Sequence, residues 1–460
     1  MKRFPIAETI LVLLGAILYF MANIQRVAVP GAIFDVLQAD LRTTAQCVTD
    51  LGSYFMYIYA ISQLVIGVLI ARYGGFRVVT IGSIFFFVGS LLFPFSQTLP
   101  LLYISRVLIG LGSATFYLGM INETRKIVPK KNFGVVLSLI LLIGYLGGIV
   151  ANAPLVILMK NLHWHLPALG RETASWRETF LIIAIATAVI ALAFIVIKCI
   201  IPKRPVDRTV HLDFELFKKT FQNKKNYSLY AFACLNYGLY YVVQTVWGKK
   251  FLEDFFGMQE LNSAIILSFM GALYAIAGSA IAFMSKAFLN RRTIFLRISG
   301  INTLIVFATI LLVTCFDIKS QIVGYIVGFF FCTISFGASL SPLLVPLLHD
   351  YNGSRVANTS VSIMTSGFYF VVAILGNISG YFLDMFTPIN SAIHSDMSYI
   401  AIFTLMTILA LVSFVNVFKI EESQKTIRLI NYLNYLKEKD SDSQEEHWHD
   451  EYEHDIYSNV

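Results

Sequence analysis

The chain has 460 residues, of which 57% are hydrophobic and only 14% are charged, and its formal net charge is +7. A soluble globular protein has about one quarter charged residues, so a fold built around a single water-soluble core is excluded. The basic residues stand in short segments between apolar runs, which argues against nucleic acid as a partner.

Apolar runs recur along the chain, and each is long enough to cross a hydrocarbon layer about 30 Å thick as one helix of about 20 residues. The runs are continuous rather than alternating, which excludes the strands of a membrane barrel. The predicted spans are 7–34, 45–71, 77–97, 100–124, 133–159, 178–201, 227–248, 261–285, 293–315, 321–348, 356–383 and 398–418. The predicted fold class is therefore an all-α membrane protein with 12 transmembrane helices surrounded by membrane lipid.

The loops predict the orientation of these spans. With the N-terminus inside, loops assigned to the cytoplasm hold roughly three times as many Lys and Arg as the opposite loops, as the positive-inside rule requires. The first run follows Lys2 and Arg3 but continues without a small-residue cleavage site, so we expect a retained span rather than a signal peptide. We expect a multi-pass protein of a bacterial inner (plasma) membrane with both termini in the cytoplasm.

The longest internal loop, 202–226, divides the spans into two sets of six. Its apolar residues alternate with lysines, which fits a short amphipathic helix on the inner leaflet or, equally, a charged linker. The predicted domains are an N-terminal half at 1–201, this linker, a C-terminal half at 227–420 and a polar cytoplasmic tail at 421–460. The five cysteines are scattered and form no CxxC pair, so we expect no structural disulfide and no zinc site. We also expect no other metal and no cofactor.

Several local motifs resemble those of the major facilitator superfamily. The segment GVLIARYGGFR is similar to its signature loop G-x-L-x-D-R-x-G-R-R, with the cytoplasmic gate residues Gly67, Arg72, Gly74 and Arg77 in matching places. Gly67 would allow close helix packing. Weaker similarities follow in order: RVLIGLG at 106–112, GYLGGIVANAP at 144–154, SWRETF at 175–180, QTVWG at 244–248 and GYFLD at 380–384.

The resemblance implies two six-helix halves related by a pseudo-twofold axis, which transport a solute by alternating access. Two departures stand out, because Ala71 and Lys286 occupy the places where this family carries an acid. Those acids latch the inner gate in the family, so we expect this chain to close its inner side differently.

In the family, spans 1, 4, 7 and 10 line the central cavity. Polar residues on these spans share helical faces and are candidate substrate contacts; they are Asn23, Arg26, Tyr117, Asn236, Tyr240 and Gln244. We expect Arg26 to grip an anionic or zwitterionic group with two parallel hydrogen bonds. The alternatives are that Arg26 reaches the outer interface or pairs with Asp50, and that the span 7 residues merely pack between helices.

Ionisable groups within a membrane are costly and are therefore candidates for proton coupling. These are Asp35, Asp50, Arg106 and Glu123. For Arg106, which shares a face with Tyr117 and would present its guanidinium to the aqueous path, a structural role in bracing span 4 is the alternative.

The predicted function is proton-coupled uptake of a small organic solute, an amino acid or a carboxylate metabolite, by a monomer. Export of a drug or siderophore is the alternative, although span 5 lacks the close G-P-x-x-G-G pattern of exchangers. A membrane-embedded sensor or enzyme is the alternative from another class, but the sequence has no G-x-S-x-G, HExxH or P-loop motif.

Overall fold

The computed structural model describes residues 6–162, 175–201, 214–288, 291–387, 393–424, 426–428 and 431–432. The helices in chain order are α1 Ile6–Ala28, α2 Phe34–Leu41, α3 Ala45–Tyr73, α4 Gly75–Phe95, α5 Leu99–Ile127, α6 Lys130–Val150, α7 Ala153–Asn161, α8 Ser175–Ile200, α9 Phe214–Gln222, α10 Lys225–Val242, α11 Gly248–Phe256, α12 Glu260–Ala287, α13 Arg292–Cys315, α14 Gln321–Ala338, α15 Ser341–Phe386 and α16 Asp396–Val417.

These helices form the twelve predicted spans. Within the described ranges, eleven stretches are long and apolar enough to cross a membrane. The remaining span, the seventh, is divided into α10, a π-helical turn at Val243–Trp247 and α11. Spans 1 to 4 are α1, α3, α4 and α5; span 5 is α6 with α7; span 6 is α8; and spans 8 and 9 are α12 and α13. Span 10 is α14 with the first part of α15 (Gln321–Gly353), span 11 is the rest of α15 (Val356–Phe386), and span 12 is α16.

Proline and glycine explain where the long spans break. Span 5 is interrupted just before Pro154, and the second part of span 10 starts just before Pro342. Proline has no backbone N–H and its ring clashes with the preceding turn, which favours a break there, although Pro94 and Pro346 are accommodated inside α4 and α15. Gly353 has a φ of +68°, a backbone conformation that favours glycine, and it separates span 10 from span 11 within α15.

Two six-span halves pack against each other. The N-terminal half (spans 1–6) meets the C-terminal half (spans 7–12) mainly where α3 runs along α15 and where α6 meets α12. Large apolar side chains such as Ile322 and Phe283 are 73% and 78% exposed on the outer surface, as expected of a surface that faces lipid. We call the end of the bundle where α1 begins the termini side and the opposite end the far side.

The linker contains the predicted short helix. In α9, Phe214 and Phe221 are exposed, whereas Thr220 is buried with its hydroxyl 3.3 Å from that of Ser360. This helix therefore packs one face on α15 and leaves apolar side chains on the other. Linker residues 202–213 and tail residues 433–460 lie outside the described residues.

Candidate functional site

Arg26, in the last turn of α1, is buried between the two halves with only 2% of its surface exposed. Its Nη1 donates a hydrogen bond of 3.3 Å to the hydroxyl of Tyr369 on span 11. Its guanidinium carbon lies 4.3 Å from the ring centre of Tyr59 and 5.1 Å from that of Tyr369. Such cation–π contacts stabilise a desolvated arginine by about 2 kcal/mol or more.

The guanidinium retains hydrogen-bonding capacity. Among the described residues, Nε and Nη2 of Arg26 make no hydrogen bond of normal geometry although both atoms are buried, and the polar groups that interact with the guanidinium besides Tyr369 are the hydroxyls of Tyr59 and Tyr241. A buried donor without an acceptor is costly, and a buried charge more so. The free Nε–Nη2 edge is the one that binds a carboxylate through two parallel bonds.

Tyrosines from both halves form a connected group of rings that begins at this arginine, and we call them the tyrosine cluster. Its members are Tyr19, Tyr59, Tyr117, Tyr145, Tyr237, Tyr240, Tyr241, Tyr274 and Tyr369. Within it Tyr19 stacks on Tyr117 at 5.5 Å, and Tyr145 meets Tyr274 across the halves at 5.3 Å. Tyrosine offers a flat apolar wall together with a hydroxyl, so the cluster can hold a small organic body beside the guanidinium.

Sequence reasoning missed part of this cluster. Seven of the nine tyrosines were not among the predicted site residues. Four of them lie on spans 2, 5, 8 and 11, which were not expected to line the centre, and the other three lie on spans 1 and 7; they are Tyr59, Tyr145, Tyr274 and Tyr369, and Tyr19, Tyr237 and Tyr241. The one available signal was a tyrosine in the middle of an otherwise apolar run.

On span 1, Asn23 lies on the expected face, but its amide nitrogen donates to the carbonyl oxygen of Tyr19 in its own helix at 2.9 Å. On span 4, Tyr117 is half-buried against Tyr19. Tyr117 is therefore linked to the tyrosine cluster by its stacking on Tyr19, whereas the Asn23 amide is satisfied within its own helix.

Span 7 differs from the expectation. The Asn236 side chain donates to Ser299 Oγ at 2.7 Å and to the carbonyl of Gly337 at 2.8 Å, and accepts from Thr303 at 2.6 Å. Its amide joins α10 to α13 and α14 instead of facing the central path. The reason is that a buried amide needs several partners, and the neighbouring helices supply them.

The other two span 7 residues lie nearer the centre. Tyr240 stacks on Tyr274 at 5.1 Å, and its buried hydroxyl has no hydrogen-bond partner among the described residues. The Gln244 amide lies against α12, with its Nε2 2.8 Å from where a Cβ on Gly271 would stand. Only Tyr240 therefore joins the tyrosine cluster directly.

Arg106 is enclosed instead of facing the path. Its Nε, Nη1 and Nη2 donate to the main-chain carbonyls of Leu51, Gln25 and Val29 at 3.0, 2.9 and 3.4 Å. These bonds tie span 4 to spans 1 and 2. The expectation that both arginines face the cavity is thus wrong for Arg106, since three carbonyl oxygens draw its guanidinium into the N-terminal half.

The candidate acids are spread along the bundle. Asp35 binds the Lys250 ammonium at 2.6 Å on the far side. Asp50 accepts a hydrogen bond from Asn377 of span 11 rather than from Arg26. Glu123 accepts from the backbone N–H of Gly75 at 2.7 Å on the termini side. Asp50 and Asp35 therefore both contact the opposite half, Asp50 through the Asn377 amide and Asp35 through the Lys250 ammonium.

The signature-loop residues lie on the termini side. Gly74 has a φ of +87° and ends α3, Arg72 lies over the Tyr73 ring at 5.4 Å, and Arg77 is in the first turn of α4. A Cβ at Gly67 would meet no atom within 4 Å, so the close packing expected there is absent. Gly75 instead makes the close approach, to the carbonyl of Gly119. The Lys286 side chain lies outside the described residues.

Comparisons with solved structures agree on the fold. The chain is similar to a bacterial homologue of the human lysosomal transporter Spinster in an inward-facing, occupied conformation (TM-score 0.68, 15% identity, covering 90% of this chain and 97% of that one). It is also similar to a D-xylose–proton symporter (TM-score 0.67, 13% identity, 92% and 99%) and to a mutant of the nucleoside transporter NupG (TM-score 0.65, 15% identity, 90% and 100%).

Two curated relatives match in sequence. The uncharacterized transporter YybO of Bacillus subtilis (strain 168) is 25% identical over 270 residues, which cover 53% of this chain and 59% of the relative. The probable anion transporter 1, chloroplastic, of Oryza sativa subsp. japonica is 28% identical over 148 residues, which cover 32% and 28%. The chain spans less than two thirds of the length of either relative.

The family model described as Major Facilitator Superfamily matches residues 11–377, which is most of the chain. This match agrees with the twelve spans, their order and the similar solved structures. The chain therefore belongs to the Major Facilitator Superfamily.

Proposed function

We propose that this protein is a secondary transporter that takes up a small organic anion by alternating access, with Arg26 as the anion-binding residue. The observation that carries the proposal is the free Nε–Nη2 edge of a buried guanidinium placed between the two halves. Substrate, coupling ion and direction of transport are parts of this proposal.

The charges around Arg26 favour an anion over a zwitterion. The groups against its guanidinium are the rings of Tyr59, Tyr369 and Phe55, together with the hydroxyl of Tyr241, and all of them are uncharged. Asp35 and Asp50, the nearest predicted acids in sequence, bind Lys250 and Asn377. An amino acid would bring an ammonium group next to a positive charge without a carboxylate to receive it. We therefore prefer a carboxylate metabolite to the amino acid predicted as an equal possibility.

The relatives support this choice in part. One curated relative is named as a probable anion transporter, although the matched region is short. The solved structures share only the fold with this chain, and their different cargoes leave its own substrate open.

For coupling, we propose Asp50 as the proton-carrying acid. It is half-buried on α3, and its partner Asn377 belongs to the opposite half. Protonation would change this contact between the halves, which is what a coupling site must do. Asp35 and Glu123 are held by partners near the two ends of the bundle, and for Arg106 we propose the bracing role.

We further propose that the protein acts as a monomer in the bacterial inner membrane, with the termini side in the cytoplasm. The excess of basic residues in the loops on that side supports this orientation. The predicted division into 1–201, 202–226, 227–420 and 421–460 remains our proposal for the domains.

The test is uptake into proteoliposomes with an inward proton gradient, using labelled monocarboxylates, dicarboxylates and amino acids. We expect accumulation of a carboxylate and its loss by at least tenfold in Arg26→Ala and in Arg26→Lys, since lysine cannot form the two parallel bonds. Arg42→Ala, at an exposed arginine on the far side, is the matched control and should transport normally. Carboxylate uptake that survives in Arg26→Ala would overturn the assignment.

A further inference from the structure

The seam between α3 and α15 joins the two halves on the far side, and Asp384 stands at its end. The Asp384 carboxylate accepts hydrogen bonds from the backbone N–H groups of Ala45 and Gln46 at 2.9 and 3.0 Å. These two groups begin α3, where the first N–H groups have no partner within the helix. A helix of one half is therefore capped by a carboxylate of the other.

Local capping alone would leave these donors unsatisfied. The hydroxyl of Thr44, the N-cap residue, accepts from the N–H of Cys47 and not from those of Ala45 or Gln46. The carboxylate also lies at the positive end of the α3 dipole, where negative charge is favoured. The contact therefore stabilises the arrangement in which the two halves are close together on the far side, through two hydrogen bonds and a favourable charge–dipole interaction.

Small residues continue the seam below Asp384. A Cβ on Gly380 would stand 2.9 Å from the Cα of Gln46, and one on Gly376 would stand 2.7 Å from Ser53 Oγ. The spacing of four residues puts Gly376, Gly380 and Asp384 on one face of α15. Further along, Ser366 Oγ donates to the carbonyl of Ala60 at 2.8 Å.

The seam opens toward the termini side. Gln46, Ser53, Ala60 and Gly67 follow at intervals of seven residues, so they share one face of α3. The first three contact α15, yet a Cβ on Gly67 would meet no atom within 4 Å. The two helices are therefore closely packed on the far side and separate toward the other end.

We propose that Asp384 is a positioning residue that latches the far side shut in this state of the carrier. When the halves rock to open the far side, both hydrogen bonds break and the α3 N-terminus is uncapped. The chain has Ala71 and Lys286 where the family carries inner-gate acids. Those acids would favour the state with the inner side closed, so in their absence the Asp384 contact shifts the equilibrium toward the state with the far side closed. The proposal concerns the equilibrium between states and is independent of the substrate.

The experiment measures distances between spin labels on the purified full-length chain in nanodiscs, in a background without native cysteines. One pair, Gln97→Cys with Ile318→Cys, reports the far side, and a second pair, Asn132→Cys with Ala287→Cys, reports the termini side; all four positions are exposed. Asp384→Asn should raise the ratio of far-side-open to far-side-closed molecules on the order of tenfold. Because the halves rock, the termini-side distances should shorten together with this change.

Two further variants keep the test decisive. Asp396→Asn removes an exposed acid on the same side, whose partner Lys319 belongs to the same half, and should leave both distributions unchanged. Ala45→Pro removes one donor to Asp384 at a position where a helix tolerates proline, and the extended backbone of Thr44 suits a following proline. It should shift the distances in the same direction as Asp384→Asn, but less.

Unchanged distances in both Asp384→Asn and Ala45→Pro would overturn the latch. So would widening of the far side without narrowing of the termini side, because that result describes local fraying instead of a change of state. Should Asp384→Asn fail to fold, the Ala45→Pro result decides alone.

Discussion

Arg26 and Arg106 are both buried, but their hydrogen-bond partners give them different roles. Arg106 has all three of its donor nitrogens bonded to carbonyl oxygens, whereas Arg26 keeps two nitrogens without a hydrogen bond of normal geometry among the described residues. The first arrangement stabilises the native fold. The second costs stability and provides binding capacity, as is common at functional sites.

The contrast predicts opposite effects on stability. Arg106→Leu leaves three buried carbonyls without their donors and should lower stability by about 2–4 kcal/mol. Arg26→Leu removes a poorly compensated buried charge and should leave stability unchanged or raise it by about 1 kcal/mol. Thermal unfolding of both purified variants in one detergent checks this. Equal losses in the two variants would contradict the distinction.

Sequence spacing placed both arginines on inward helical faces but could not assign their partners. The carbonyls that receive Arg106 belong to Gln25, Val29 and Leu51, at least 55 residues away along the chain. The amide of Asn236 is likewise satisfied by α13 and α14. A helical face of a single span cannot reveal such contacts, because they depend on how the spans assemble.

At the scale of the helices, hydropathy was sufficient to predict where the spans lie but not where they are interrupted. The predicted limits of α3 and α13, 45–71 and 293–315, agree closely with Ala45–Tyr73 and Arg292–Cys315. The thickness of the membrane sets the length of each apolar run, so the limits of a span can be predicted from the sequence alone. The π-helical turn at Val243–Trp247 was not predicted, since nothing in local composition specifies it.

The seam between α3 and α15 gives a prediction at this scale. Gly380→Ala places a methyl group against Gln46 and Thr49, so it should cost about 1–3 kcal/mol or force the helices apart. Gly134→Ala is the matched control, because a Cβ there meets nothing within 4 Å and alanine favours the helix. Thermal unfolding should show a lower midpoint for the first variant alone. A Gly380→Ala protein as stable as wild type would show that the close approach is not required.

At the scale of the whole molecule, the two halves meet through contacts that can exist in only one arrangement. On the far side, Lys160 of span 5 binds Glu260 of span 8 at 2.9 Å, and Lys250 binds Asp35. Opening this side must break these ion pairs together with the seam. A substrate anion at Arg26, between the halves, can therefore bias their equilibrium only through its different contacts in the two states.

Neutralising Asp50 should separate transport from its coupling to protons. Asp50→Asn mimics the protonated acid, so exchange of labelled for unlabelled carboxylate across the liposome membrane should continue. Accumulation driven by a proton gradient should fall by about tenfold or more, because the variant can no longer release a proton on the second side. Asp396→Asn, which neutralises an exposed acid outside the interface of the halves, should preserve both activities. Gradient-driven accumulation by Asp50→Asn at the wild-type level would exclude Asp50 as the coupling acid. If the variant loses exchange as well, the Asp50–Asn377 contact is needed for the movement of the halves, and Asp50 is not the residue that carries the proton.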